Sequence, residues 1–350
     1  MQRVIDVLND QVGGGKPIPS ASICVRVDGA EVFHHTTGFA RLEPPRLAAP
    51  NLAYDLASVT KAIAAAPVTA CLVEQGELGF EDPVCRYLPG VDERMRVRHL
   101  LTHSSGVPWW RPLYEQAEDA WGTAETRKKL LDLALGLPIE APPGERHSYS
   151  DIGMMLLHRI IDAITGERLD VLHRRLVTAP LGLDDLRFGG WPGAAATEVC
   201  PVRGILVEGT VHDLNTAALG GISTHAGLFG TARAVARLAD ALMLAVLAPD
   251  AHPQLPGRAL GAMWAMNGPG SHAGIWDRRS PGYSSSGQFW PDDSRGHTGY
   301  TGTSVWCAPS RRTTVALLTN RVHPRDDKEP IRVLRPQVHD AVARALGWST

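Results

Sequence analysis

Strand-forming segments at both ends of the chain, with helical segments between them, set the strongest limit on its fold. Residues 21–27 and 30–36 are rich in β-branched and aromatic side chains, and Asp28-Gly29 between them suits a tight hairpin. Residues 303–308 and 313–319 repeat that pattern near the other end, across a polar turn. From about 80 to 200 the chain carries no alternating strand pattern; segments 96–103, 126–136 and 150–166 show helical apolar spacing instead. Further helices are expected over 2–12, from about 58 to 75, and over 330–346. Gly76 would stop the second of these, and Pro67 would kink or break it. The glycine- and proline-rich stretch 267–296 reads as a long irregular loop. One sheet has to collect strands from both ends. The expected fold is therefore α+β: a mainly antiparallel sheet from the N- and C-terminal segments, flanked by helices, with an inserted mostly helical region. Residues 1–78 and 205–350 would form the sheet domain and 79–204 the helical region, with the active site between them.

Charge and cysteine content exclude several function classes. The 350 residues carry a formal net charge of -2, so nucleic acid and anionic membranes are not expected partners. The N-terminal MQRVIDVLNDQVGGG has no basic start followed by an apolar run, and no stretch is apolar enough to span a bilayer. A cytoplasmic location is expected. The five cysteines (Cys24, Cys71, Cys85, Cys200 and Cys307) are odd in number, widely spread and without a CxxC pair, and read as free thiols. His99 and His103 stand four apart, but no further residue completes a zinc pattern, so no metal or cofactor is expected.

Three short motifs carry the chemistry. Ser58-Val59-Thr60-Lys61 at a helix start brings an amine within one turn of a hydroxyl. The helix dipole and burial would both disfavour a protonated amine there, so a neutral Lys61 is expected to take the Ser58 proton. With 17 serines and five lysines in the chain, one such pair alone means little. Tyr149-Ser150-Asp151 adds a phenol suited to general acid or base work. His297-Thr298-Gly299, followed by Tyr300-Thr301-Gly302, lies at a strand start where glycine lets a substrate approach the backbone. Trp109, Trp110 and Trp121 are candidates to wall an apolar acyl pocket. His212, Asp213 and Asn215 read as residues of a helix cap, and His225 as structural. Serines 284–286 read as solvated loop residues.

Taken together and in this order, the three motifs resemble those of the serine β-lactamase and penicillin-binding-protein superfamily. The nearest part is the class C-like branch, which also holds D-alanyl peptidases and carboxylesterases. The resemblance spans nearly the whole chain and includes VEQGELGFEDPVCRYLP, HLLTHSSGVP, YSDIGMMLLHRIIDAITG, VHDLNTAALGGISTHAGLFGT and GHTGYTGTSVW. It implies that Ser58 is the nucleophile, with Lys61 and Tyr149 sharing the proton transfers. The backbone amides of Ser58 and Tyr300 would form the oxyanion hole. Asp151, His297, Thr298 and Gly299 would contact substrate.

Two positions depart from the family pattern. The tyrosine motif usually ends in Asn, whereas Asp151 when ionised only accepts hydrogen bonds. The third motif often begins with Lys, whereas a neutral His297 grips a carboxylate poorly. Both changes lean toward small neutral esters or amides as substrates. The alternatives are a D-amino-acid peptidase or weak β-lactamase, an acyltransferase and, from another class, a non-catalytic binding protein of the same fold.

Overall fold

The structure, a computed structural model, describes residues 1–117 and 120–348. The chain opens with α1 (Gln2–Gln11), β1 (Ser20–Val27), β2 (Ala30–Arg41), β3 (Arg46–Leu47) and β4 (Ala53–Asp55). There follow α2 (Ala66–Glu74), α3 (Val97–Leu101), α4 (Ala124–Leu135), α5 (Asp151–Thr165) and α6 (Leu169–His173). Short strands β5 (Leu186–Phe188), β6 (Val199–Cys200) and β7 (Ile205–Leu206) lead to α7 (Leu214–Ala218), β8 (Leu228–Thr231), α8 (Ala232–Leu247) and α9 (Gly257–Ala265). Strands β9 (His272–Ala273), β10 (Trp276–Arg278), β11 (Arg295–Thr298), β12 (Ser304–Ala308) and β13 (Thr313–Thr319) precede the terminal α10 (Glu329–Ala345).

Among the described residues the main sheet has eight strands in the order β3-β2-β1-β13-β12-β11-β10-β9. The two ends of the chain meet at its centre, where β1 pairs antiparallel with β13 in register Val25↔Val315. The hairpin forms as expected, with Asp28 and Gly29 at φ 49° and 82°, the left-handed pair that a two-residue turn between twisted strands requires. Side-chain alternation divides the core. Ile23, Val25, Trp306 and Val315 face α1 and α10, whereas Cys24, Val305 and Ala316 face α8 and merge with the apolar interior of α2, α4 and α5. All five cysteines are free, and among the described residues no helix is long and apolar enough to cross a membrane.

Two expectations need correction. The helix after Ser58 is not continuously α: residues 61–65 make a π turn, with Ala66 N–H donating to Lys61 O, before α2 begins. Pro67 sits early in α2 and has no N–H to give Ile63 O, four residues back. The imidazole of His173, on α6, stands 3.2 Å from that carbonyl and takes the missing donor's place. The second correction concerns 267–296, which is not all loop. It supplies β9, β10 and the start of β11, the outer edge of the main sheet. Nor are its serines solvated: Ser286 is buried, and Ser285 Oγ accepts from Trp306 Nε1 at 3.1 Å.

Candidate active site

Ser58 sits at the end of a strand that has been bent sharply. Leu56 N–H still pairs with Leu228 O at 3.0 Å, but Ala57 adopts φ 46°, costly for a residue with a Cβ. The buried Asp55 carboxylate holds this bend by accepting from Ala57 N–H at 2.8 Å and from His212 N–H at 2.7 Å. One turn on, the fully buried Lys61 directs Nζ at Ser58 Oγ (2.9 Å) and His225 O (3.1 Å). Lys61 also forms an ion pair of 2.7 Å with Asp151 Oδ1. Asp151 opens α5 behind the N-cap Ser150, whose Oγ accepts from Gly153 N–H at 2.8 Å. A carboxylate there is favoured by the positive end of the helix.

This pairing overturns the expected neutral lysine. Burial pushes the Lys61 amine toward its neutral form, but the Asp151 carboxylate and Tyr149 outweigh it and hold the pKa above the ordinary value. Lys61 therefore rests as an ammonium. Tyr149 is half-buried against both Lys61 and Ser58. Burial raises its pKa more than Lys61 lowers it, so it rests as a neutral phenol. Asp151, expected at the substrate, is thus also the counterion of the lysine.

A cluster of histidines drawn from separate segments, with no shared motif to announce it, encloses Tyr149. Ring centroids of His103, His272 and His297 lie 4.5, 5.3 and 6.0 Å from the tyrosine ring. His147 reaches His272 at 3.1 Å between ring nitrogens. Burial lowers the pKa of each, that of His272 to about 3, so the cluster is neutral. His297 Nδ1–H donates to Thr298 O at 2.8 Å. That assignment leaves Nε2 as a buried acceptor with no partner among the described residues.

The turn after β11 faces Ser58. Gly299 N–H donates to Thr303 O at 2.7 Å, and Gly302 N–H to Gly299 O at 3.1 Å. Thr301 Oγ1 and Thr303 Oγ1 stitch this turn to the β4 end, donating to Asp55 O at 2.7 Å and Leu56 O at 2.8 Å. A Cβ on Gly299 would lie 2.4 Å from Leu56 O, so only glycine permits this approach. The N–H groups of Ser58 and Tyr300 have no hydrogen-bond partner among the described residues.

Two cavities meet at Ser58 and Tyr149. One, of about 450 Å³, lies along His297, Thr298 and Gly299 and has a basic wall that includes Lys328, Arg332 and Arg335. The other, of about 460 Å³, is walled by Trp109 and Trp110 with Asp151, Glu198, His212 and Asp213. Trp121 does not border it and packs on Tyr114 instead. Asp213 caps α7, accepting from Thr216 N–H at 2.7 Å. His225 contacts Asp213 at 3.1 Å and offers its backbone carbonyl to Lys61.

Comparison with known proteins finds relatives over nearly the whole chain. The Beta-lactamase family model matches residues 4–338. An N-acetylmuramyl-L-alanine amidase of Bacillus subtilis (strain 168) is 28% identical over 374 residues, covering 92% of this chain and 81% of that protein. Two solved structures share the fold. One is EstCE1, described as a hydrolase with promiscuous acyltransferase activity (TM-score 0.74, 21% identity, 97% of both chains). The other is the D-amino acid amidase from Ochrobactrum anthropi SV3, complexed with L-phenylalanine amide (TM-score 0.74, 20% identity, 99% of both chains). The family model spans both the sheet and the helical segments around Ser58, and the chain belongs to the beta-lactamase family of serine hydrolases.

Proposed function

We propose that this enzyme cleaves small esters or amides through an acyl-enzyme on Ser58. The observation that carries this reading is the contact of Lys61 Nζ with Ser58 Oγ at 2.9 Å, beside the unused amides of Ser58 and Tyr300. In the resting pair the proton sits on Lys61. Its loss to solvent frees the amine to accept the Ser58 proton as Oγ bonds to the substrate carbonyl carbon. The two amides receive the developing oxyanion. Tyr149 then protonates the leaving oxygen or nitrogen as its bond to carbon breaks, and Lys61 returns a proton to Tyr149. Water repeats the sequence in reverse roles and releases the acid; an alcohol or amine in its place gives acyl transfer. The Trp109 and Trp110 side receives the acyl group, and the His297 side the leaving group. We read residues 1–78 and 205–350 as one region and 79–204 as the other, with Asp151 and Tyr149 brought to Ser58 by the second.

One observation favours a second reading. Lys328 and Arg332 border the leaving-group cavity and supply positive charge that His297 does not, which suits a leaving group with a carboxylate, as in a D-amino-acid peptide. The comparison of short-chain esters, D-Ala-D-Ala peptides and a chromogenic cephalosporin tests both. The first reading expects the highest kcat/KM for a short-chain ester. A peptide or cephalosporin turned over faster supports the second.

A further inference from the structure

Two guanidinium groups grip the turn that carries the Tyr300 amide. Arg335, on α10, donates from one terminal nitrogen to Gly299 O at 2.8 Å and to Thr303 O at 2.7 Å. Arg321, just beyond β13, donates from Nε to Tyr300 O at 2.9 Å and is paired with Asp326. Among the described residues Arg335 has no such pairing. It is 9% exposed, its hydrogen bonds go to neutral carbonyls, and its Nε has no partner among the described residues. Burial, and then the like charge of Arg321, pull its pKa down to about 9. A buried cation without a counterion is costly, and a neutral amide side chain would suffice to tie α10 to a turn.

The peptide geometry shows what the charge accomplishes. Gly299 C=O and Tyr300 N–H belong to one planar trans peptide group, so its carbonyl and its N–H point in opposite directions. A cation fixed at the oxygen sets the direction of the N–H and polarises the group, which strengthens it as a donor. We propose that Arg335 is a positioning residue for acyl transfer, orienting and polarising the peptide group whose N–H meets the oxyanion. This inference rests on the reading of Ser58 and Tyr300 given above.

The test compares wild type, Arg335→Gln and Arg335→Lys on p-nitrophenyl acetate, which bears no carboxylate, and measures the affinity of a boronic acid that forms a tetrahedral adduct with serine. Losing one oxyanion donor outright costs about 10²–10³-fold in kcat. A misaimed donor should cost less, about 10–100-fold in Arg335→Gln, with KM within about two-fold and boronate affinity reduced in parallel. Arg335→Lys keeps the charge and should fall between. Wild-type kcat in Arg335→Gln would overturn the proposal, as would a loss confined to KM. Should Arg335→Gln fail to fold, wild-type boronate affinity in Arg335→Lys would do the same. Intact mass separates the two levels: an unlabelled wild-type Ser58 removes the underlying reading, whereas normal acylation rates in the variants remove only the role of Arg335.

Discussion

Lys61 Nζ lies 2.7 Å from Asp151 Oδ1, so the lysine of the Ser-x-x-Lys motif rests as half of a buried ion pair. A free amine is needed when Ser58 attacks, and the strength of this pair therefore sets the pH at which the enzyme becomes active. In Asp151→Asn the strongest group raising the Lys61 pKa is gone, while the burial that lowers it remains. In wild type kcat/KM should still be climbing at pH 10, whereas in Asp151→Asn it should level off at lower pH, and rates recorded from pH 5 to 10 will show the difference. A profile that stays in place means that Lys61 is not the titrating base.

The same pair contributes to stability. The folded pKa of Lys61 is raised above its ordinary 10.5, so the stabilisation is fully present below about pH 10.5 and is lost as pH rises through the folded value. Urea midpoints of wild type and Asp151→Asn should differ at pH 8 and converge at strongly alkaline pH. Equal midpoints at pH 8 would argue against any stabilising role.

Lys61→Arg keeps a charge but not a removable proton. It should lose about as much acylation rate as Lys61→Ala, on the order of 10²–10⁴-fold. Tyr149→Phe should also be slow. The double variant should lose much less than the product of the single losses, because the two groups act as one unit. Stopped-flow acylation rates check this. Near-wild-type acylation in Lys61→Arg would mean that the proton goes elsewhere.

Several buried histidines are held neutral by burial. His173 and His339 are lowered to about 4, and His272 to about 3, from an ordinary 6.5. Between about pH 6.5 and 4 the unfolded chain binds protons on these rings and the folded chain does not, so stability rises with pH across that window. The urea midpoint should be lower at pH 5 than at pH 7. A midpoint that rises on acidification would contradict the neutral cluster.

The legible parts of the sequence were those with local signals. The hairpin at Asp28-Gly29 needs two neighbours in the left-handed region and advertises them. Ser58, Lys61, Tyr149 and His297 stand in short motifs, and the structure brings all four together. What stayed hidden depends on distant partners. Asp151 looks like any first-turn acid until Lys61 is placed beside it, and that contact reversed the expected charge of the lysine. His103, His147 and His272 come from separate segments and meet only around Tyr149. Strands β9 and β10 are two and three residues long, too short for an alternation to appear among glycines and prolines. The donor that His173 offers Ile63 O follows from Pro67, whose missing N–H was readable although its replacement was not.

Catalysis through an acyl-enzyme requires a covalent bond to Ser58. Intact mass spectrometry after brief exposure to an activated ester, followed by peptide mapping, measures it directly. Wild type should gain a single acyl group, mapped to Ser58, and Ser58→Ala should gain none. Acylation at a different residue, with Ser58→Ala retaining hydrolysis, would contradict the account.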